Sequence, residues 1–421
     1  MDRATLDWLR SRAGADALAE AAASIDAGAE ELAVGTALRR TLPAERAASV
    51  VAQMRLRRRA VAKFGADAER MWFTAEALEQ ATRRSVADHR AARLALAAAA
   101  DGRQWSLVDL GCGLGGDLIA VARHGLLTAG VDLDPLRAGL ASANLEDLGL
   151  AGAVRVAAAE DVDVRRFDVA LCDPARRDGS GRTWSRQAWS PPWTFIESLL
   201  AGAAVVKAAP GLPHGAVPDG VEAEFVSDAG ALKEASLWSG PLATARRRAT
   251  LLTPGAKPIT ITDEEDPGPE AIGLAEVGTY LHEPDDAVIR AGLVTAVAAL
   301  LEAQLVDPHL AYLTSDVLQP SPLARSFRVR EEAPFREKQL RSFLRARGIG
   351  RLTIKKRGVQ ISPEQLRPRL SLRGDAEATL VLTRTPRGSR AFMVDRIEPA
   401  SVERGTPQAF PTEPRDFSPE Q

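Results

Sequence analysis

Cysteine is nearly absent from this 421-residue chain, which carries only Cys112 and Cys172. One falls in an expected glycine turn and one in an expected strand, so they support neither a disulfide framework nor a zinc site, and a reducing compartment is the default. Long apolar runs are also missing. No uncharged stretch approaches the ~20 residues that a bilayer requires. The opening residues, MDRATLDWLRSRAG, lack the basic start and apolar centre of a secretory leader. These absences point to a soluble cytoplasmic protein with no membrane partner. Lysine is scarce, seven residues against 47 arginines, so single arginines say little and the few lysines say more. Net charge is only −2, yet residues 321–390 hold 18 Lys plus Arg against 6 Asp plus Glu, a local +12. That asymmetry suggests a polyanion partner for the C-terminal part, the plainer alternative being a solvated basic face. The rest is ordinary globular composition, 45% apolar and 26% charged, long enough for about two or three domains at ~150 residues each.

Residues 105–135 read WSLVDLGCGLGGDLIAVARHGLLTAGVDLDP. Leu107, Val108 and Leu110 form a short apolar run ending in Gly111, Gly113, Gly115 and Gly116, after which DLIAVA restores a helical apolar period. The pattern predicts a strand, a glycine turn and a helix start, where a side chain would block a ligand lying on the backbone. A second strand, 129–131, delivers Asp132 and Asp134, carboxylates able to accept hydrogen bonds from a ribose diol. Glycine spacing alone fits two cofactors, because Gly111, Gly113 and Gly116 also satisfy the dinucleotide fingerprint. Asp109 tips the balance: a carboxylate there repels a pyrophosphate but suits the amino group and sulfonium of S-adenosylmethionine.

At VDLGCGLGG and GVDLDP the chain resembles class I S-adenosylmethionine-dependent methyltransferases. The resemblance implies an α/β fold with a seven-stranded, Rossmann-like core and S-adenosylmethionine as cofactor; methyl transfer from a sulfonium needs no metal. The expected cofactor contacts are Asp109, Gly111, Cys112, Gly113, Gly115, Asp117, Asp132 and Leu133, with Asp161 near the adenine amino group. Residues 1–100, rich in Ala, Leu, Glu and Arg at helical spacing, are expected to form a helical domain. Within it Thr74 can cap a helix behind the Trp72-Phe73 pair, which reads first as a hydrophobic staple. WFTAEALEQAT also resembles the segment that closes over the cofactor in trimethylguanosine synthase-like methyltransferases, making Phe73, Thr74 and Gln80 candidate neighbours of the cofactor.

The core is expected over residues 101–245, with later strands at 154–157, 167–172, 203–207, 221–226 and 234–238. The strand at 167–172 ends in Asp173-Pro174-Ala175-Arg176-Arg177, where an open α/β sheet keeps its reacting groups. Amine-methylating nucleic-acid enzymes carry an acid or amide, two prolines and an aromatic there. Here Asp173 can still accept a hydrogen bond, and guanidinium groups of Arg176 and Arg177 can cover a base or clamp a phosphate. Ser190-Pro191-Pro192-Trp193 matches the amine motif by letter but follows no expected strand, so it is assigned to a loop or helix start. Ring-carbon methylation through a cysteine nucleophile is disfavoured, because neither cysteine is expected to face substrate. A third reading follows from ribose 2′-O-methyltransferases of the heat-shock rRNA type: Asp173, Lys207 and Glu234 fall at three of their four catalytic places, and a lysine of depressed pKa could take the hydroxyl proton. The fourth place is empty, since Lys63 lies too far upstream and arginines (Arg83, Arg84, Arg90) occupy the nearer stretch. For Lys207 a structural or phosphate-binding role weighs as much as that of a base.

Residues 246–279 read as a linker with one strand, ATLLT, attached to the core. A small α/β, ferredoxin-like unit is expected over 280–330, with a long apolar helix behind Pro284. Residues 331–398 resemble the THUMP-like domain that follows the methyltransferase domain in a bacterial family; LRARGIGRLTIKKRGVQISPEQL and TLVLTR carry the resemblance, with YLHEPDDAVIRAGL before them. THUMP domains proper bind tRNA, so the resemblance implies tRNA or rRNA, with Arg345, Arg347, Arg351, Lys355, Lys356 and Arg357 as its contacts. Residues 399–421, Pro- and Glu-rich, read as a disordered tail. The sequence thus points to an RNA methyltransferase acting on a base amine or a ribose hydroxyl. Two alternatives stand beside it: a methyltransferase acting on a protein or small molecule, and a cofactor-sensing RNA-binding protein without catalysis.

Overall fold

The computed structural model describes residues 1–176 and 189–397. The chain divides into two compact units, Met1–Ala271 with Pro284–Ala299, and Ile272–Glu283 with Leu300–Gln421.

The first unit opens with six helices: α1 (Arg3–Arg10), α2 (Arg12–Asp26), α3 (Glu31–Leu38), α4 (Ala44–Phe64), α5 (Ala75–Gln80) and α6 (Arg84–Asp101). Glycines in left-handed or positive-φ geometry stop α4 at Gly65 and α6 at Gly102. Thr74 caps α5, accepting from the Ala77 N–H at 3.1 Å. Trp72 and Phe73 are buried just before it, as a staple would be. The sheet begins with β1 (Ser106–Leu110), α7 (Gly116–Arg123), β2 (Leu127–Asp132), α8 (Pro135–Asp147), β3 (Ala153–Val156) and β4 (Val169–Cys172). A short antiparallel pair follows, β5 (Ala175–Arg176) with β6 (Trp189–Ser190), then α9 (Trp193–Leu200). It closes with β7 (Ala204–Ala208), β8 (Glu222–Asp228), β9 (Ala231–Trp238), β10 (Arg247–Leu252) and β11 (Ile259–Thr262).

These strands lie in the order β11-β10-β8-β9-β7-β4-β1-β2-β3. The central strands β7-β4-β1-β2-β3 are all parallel, and β9 enters antiparallel between β7 and β8. This is the expected seven-stranded core, extended by β10 and β11, so 246–279 supplies two strands where one was expected. Strands β4 and β8 are buried along their whole length, as strands covered on both faces are. Leu107, Leu171 and Val205 are fully buried; each such side chain contributes about 1.5–3 kcal/mol relative to exposure. The chain leaves β1 in opposite directions, toward β2 and β3 on one side and β4 and β7 on the other. The crevice at this reversal, beyond the carboxyl ends of the strands, is where such sheets bind ligands. One apolar cluster joins the helical segment to the core, with Leu6, Val50, Phe64 and Phe73 alongside Leu114, Leu118 and Leu140.

The expected unit at 280–330 is divided. Helix α10 (Pro269–Ile272) is followed by β12 (Tyr280–Pro284) and two short helices, α11 (Asp286–Ala291) and α12 (Val294–Leu300), in place of one long one. Gly292, at φ 69°, ends α11 in the left-handed conformation and breaks the run. Residues 284–299 cluster with the first unit, and β12 with the second. The second unit also contains β13 (Gln304–Leu305), β14 (Leu313–Ser315), β15 (Ala324–Ala333), α13 (Glu337–Ala346), β16 (Ile349–Arg357), α14 (Pro363–Leu370), β17 (Ala376–Thr385) and β18 (Gly388–Arg396). Its sheet runs β13-β14-β12-β15-β18-β17-β16, with β16 and β17 parallel across α14. Leu340, Leu344, Leu366 and Leu370 of the two helices pack on Leu352, Leu380 and Leu382 of this sheet. The expected tail at 399–421 lies outside the described residues.

Candidate active site

Two adjoining cavities in the first unit meet at the carboxyl ends of β1, β4 and β7. The larger, about 550 Å³, is lined by Gly111, Cys112, Gly113, Leu114 and Gly116, by Asp109 and Asp117, and by Glu76, Gln80 and Thr82 from the α5 segment. That volume is ordinary for a small-molecule site. The smaller, about 320 Å³, is lined by Lys63, Arg83, Asp173, Pro174, Trp189, Lys207, Lys233 and Glu234. Gln80, Ala81, Thr82, Asp173 and Lys207 border both.

The glycine turn has the conformation that its sequence demands. Gly111, Gly113 and Gly115 take φ of 88°, 58° and 85°, where a side chain is strained. A Cβ on Gly113 would meet nothing within 4 Å, so the bare backbone faces open space. A Cβ on Gly115 would come 3.2 Å from Ala141, so this glycine lets α7 approach α8. Asp132 folds back on the turn, accepting from the Gly113 N–H and the Asp134 N–H, each at 2.9 Å. Asp134 itself caps α8. Asn144 holds the turn from behind: its amide donates to the Leu114 carbonyl at 2.9 Å and its oxygen accepts from the Trp72 N–H at 2.6 Å.

Asp109 is 3% exposed, and among the described residues nothing hydrogen-bonds its carboxyl. Burial, and then the negative charge of Asp117, push that carboxyl up to about 8. Asp117 is differently placed. Its carboxylate binds Arg90 and, at 2.5 Å, the Lys207 ammonium. Lys207 also donates to Asp173 Oδ2 at 3.0 Å and to the Thr82 hydroxyl at 2.8 Å. Burial alone would depress the Lys207 pKa, but the charges of Asp117 and Asp173 outweigh it and hold the ammonium well above the ordinary lysine range. Of the two roles the sequence left open for Lys207, the geometry favours a cation held between two carboxylates over a lysine of depressed pKa poised as a base. Arg90, 2% exposed, completes the cluster by binding Glu234, which accepts also from the Ser236 hydroxyl at 2.8 Å.

Several expected residues stand elsewhere. Thr74 is spent on its cap, and Phe73 is core. Asp161 is exposed on a turn after β3, Leu133 is 74% exposed after β2, and Asp132 is buried with both oxygens bound to backbone N–H groups; none of the three lines the cavities. Cys112 borders the larger cavity as a buried thiol, its Sγ only 3.1 Å from where a Cβ on Gly130 would lie. The Arg176 backbone pairs with Trp189, and Arg177 lies outside the described residues.

Three features were misjudged or missed. Helix α4 returns Lys63 to the smaller cavity despite its distance in sequence, where its ammonium donates to the carbonyls of Leu78, Glu79 and Ala81 at 2.7–2.8 Å. The SPPW segment does follow a strand, β6, whose pairing with β5 sets Trp189 on the cavity beside Asp173. Pro192 then stands at the position before the first residue of α9, in line with the helix-start reading. Arg90 and Lys233 carried no local signal beyond, for Lys233, the rarity of lysine.

In the second unit the KKR run does not form one patch. Alternation along β16 sets Lys355 and Arg357 on one face, where both pair with Glu283 at 2.7 and 3.5 Å, and turns Lys356 to the other. Arg347 pairs with Glu331 at 2.8 Å and Arg351 with Glu377 at 2.6 Å. Arg345 donates to the Ser371 carbonyl, and Arg345 and Lys356 have no carboxylate within ion-pair distance among the described residues.

Comparison with known proteins decides the family. Over 358 residues the chain is 37% identical to a Mycobacterium tuberculosis protein (strain H37Rv) named as an uncharacterized S-adenosylmethionine-dependent methyltransferase, covering 82% of this chain and 95% of that one. This chain belongs to the S-adenosylmethionine-dependent methyltransferases. The corresponding protein of strain CDC 1551 matches equally. Residues 324–396 of the methyltransferase match the THUMP domain-like family, and residues 2–60 match a domain of unknown function. A Porphyromonas gingivalis W83 crystal structure named as a methyltransferase superposes with a TM-score of 0.69 at 22% identity, covering 85% of this chain and 92% of that one, which supports the fold. Among the described residues of the methyltransferase no helix is long and apolar enough to cross a membrane, and no cluster of three or more His, Cys, Asp or Glu could hold a metal. The larger cavity fits its cofactor: a buried carboxyl without a partner, Asp109, stands beside a backbone left bare by Gly113.

Proposed function

We propose that this enzyme methylates structured RNA at an exocyclic base amine. Asp109 would receive the amino group of S-adenosylmethionine, and the Gly111 and Gly113 backbone would lie along its methionine part, with Asp132 holding that turn in shape. When bound, that cofactor supplies a methyl group already activated on a sulfonium.

The observation carrying the choice of acceptor is the state of Lys207. A hydroxyl acceptor needs a base, and the lysine at that place is held protonated by Asp117 and Asp173. An amine needs an acceptor that orients its hydrogens and a place for the proton released after attack. Among the described residues only Lys207 binds Asp173, at Oδ2, which leaves Oδ1 to accept from the amine. Trp189, walling the same cavity, offers an aromatic surface where the DPARR motif has none. Placing amine and donor in line is worth about 7–11 kcal/mol of the barrier. RNA as the substrate class rests on the THUMP-like resemblance and the +12 charge of residues 321–390.

The test is methyl incorporation by the purified full chain into unmodified tRNA and rRNA transcripts. Asp173→Ala is expected to lose methylation by at least about a hundredfold, in the range of a lost general acid-base group, while calorimetry shows unchanged affinity for S-adenosylhomocysteine. Loss of cofactor affinity with RNA methylation intact would overturn the role given to Asp173. Methylation of protein or small molecules, and none of RNA, would overturn the substrate class.

A further inference from the structure

Three of the seven lysines in this arginine-rich chain, Lys63, Lys207 and Lys233, line the smaller cavity. Two of them are committed. Lys207 is spent on Asp117, Asp173 and Thr82, and Lys63 gives its three N–H donors to three carbonyls, a task for a tetrahedral ammonium and not a planar guanidinium. Lys233, half-buried on β9, has neither a hydrogen bond nor a carboxylate within ion-pair distance among the described residues. Among the described residues the Arg83 side chain donates only to the Ala62 carbonyl, at 3.1 Å. The carboxylates of this cavity, Asp173 and Glu234, are already held by Lys207 and Arg90. The cations even crowd one another: burial and the charge of Arg83 hold the Lys63 ammonium below the ordinary lysine range. Among the described residues the uncompensated charge of the cavity is therefore positive, whereas an amine-bearing base alone brings no negative charge to meet it.

We propose that Lys233 and Arg83 form a phosphate subsite on the acceptor cavity, holding a phosphodiester next to the nucleoside to be methylated. This deepens the RNA reading and rests on it. A point charge on a flexible stem and a forked donor are both suited to phosphate oxygens. Lys63 and Arg83 also border a neighbouring groove of about 640 Å³, which gives a strand anchored at Arg83 a way onward.

The test titrates ribonucleoside 3′,5′-bisphosphates and the matching nucleosides into the full chain saturated with S-adenosylhomocysteine. At least one bisphosphate is expected to bind tenfold or more tightly than its nucleoside. The Lys233→Ala/Arg83→Ala variant should narrow that preference to within twofold, and Lys257→Ala, exposed and outside the cavity, should keep it. Equal binding of nucleotide and nucleoside, a preference surviving in the double variant, or no binding at millimolar concentration would each overturn the subsite. Unchanged affinity for S-adenosylhomocysteine checks that the double variant folds; if it does not, Lys233→Gln alone is judged by the same criterion. Binding of bulk tRNA by the unvaried chain is measured in parallel. Its absence sinks the RNA reading, whereas tRNA binding with the nucleotide preference unaltered by the substitutions sinks only the subsite.

Discussion

Replacing Asp117 with asparagine removes one charge from the centre of the buried cluster and keeps its shape. Arg90, 2% exposed, and Lys207, 7% exposed, would each lose their shared carboxylate, leaving Arg90 with Glu234 and Lys207 with Asp173 and the Thr82 hydroxyl. Breaking a buried pair on one side costs about 3–5 kcal/mol, because the partner charge stays desolvated. Against a total stability of ~5–15 kcal/mol this is a large fraction. At ~2–4 °C per kcal/mol for a large domain it lowers Tm by roughly 6–20 °C. All seven tryptophans lie at or before residue 238, so tryptophan fluorescence during urea or thermal unfolding reports the first unit alone. Adding Lys207→Met removes one of the stranded cations, so the double variant should be more stable than the sum of the single losses predicts, by about 0.5–3 kcal/mol. A loss below about 1 kcal/mol in Asp117→Asn, with strictly additive behaviour in the double variant, would refute the picture of Asp117 as the anion that holds both cations in place.

Three further outcomes follow from the same geometry. The buried Asp109 carboxyl titrates near 8 in the fold against about 3.9 unfolded; its contribution to stability is full below the lower value and lost as pH rises through the higher. Asp109→Asn should therefore gain stability over the parent as pH rises from 4 to 9 while binding S-adenosylhomocysteine at least tenfold more weakly, and a gap that shrinks with pH would contradict this. Gly115→Ala, with φ 85° and a Cβ 3.2 Å from Ala141, should cost about 1–2 kcal/mol in urea unfolding from backbone geometry alone; a neutral effect would refute the packing argument. Lys207→Met should lower the rate without removing an ascending acid limb from the pH-rate profile, whereas loss of such a limb would restore the lysine as a base.

The glycine turn, the positions of the core strands along the chain and the Thr74 cap were legible because each is encoded within a few consecutive residues. Period and glycine placement suffice for β1, the turn and α7. The chemistry of the acceptor cavity was not legible in the same way. Lys63 reaches it only because α4 folds back over the turn, and Trp189 only because two-residue strands pair across it. Whether Lys207 is a base or a cation depends on Asp117 and Asp173, 90 and 34 residues away in sequence. Arg90 is one arginine among 47 until burial singles it out. The basic run 355–357 could have been divided by the two-residue period of a strand, but its summed charge concealed that Lys355 and Arg357 share Glu283.

The most direct test of the central claim is nucleoside mass spectrometry of total RNA from cells carrying the parent gene or Asp173→Ala. The expected result is the disappearance of one base-methylated nucleoside bearing its methyl on an exocyclic nitrogen, restored by the parent gene. Disappearance of a ribose-methylated nucleoside, or an unchanged nucleoside profile, would contradict the account.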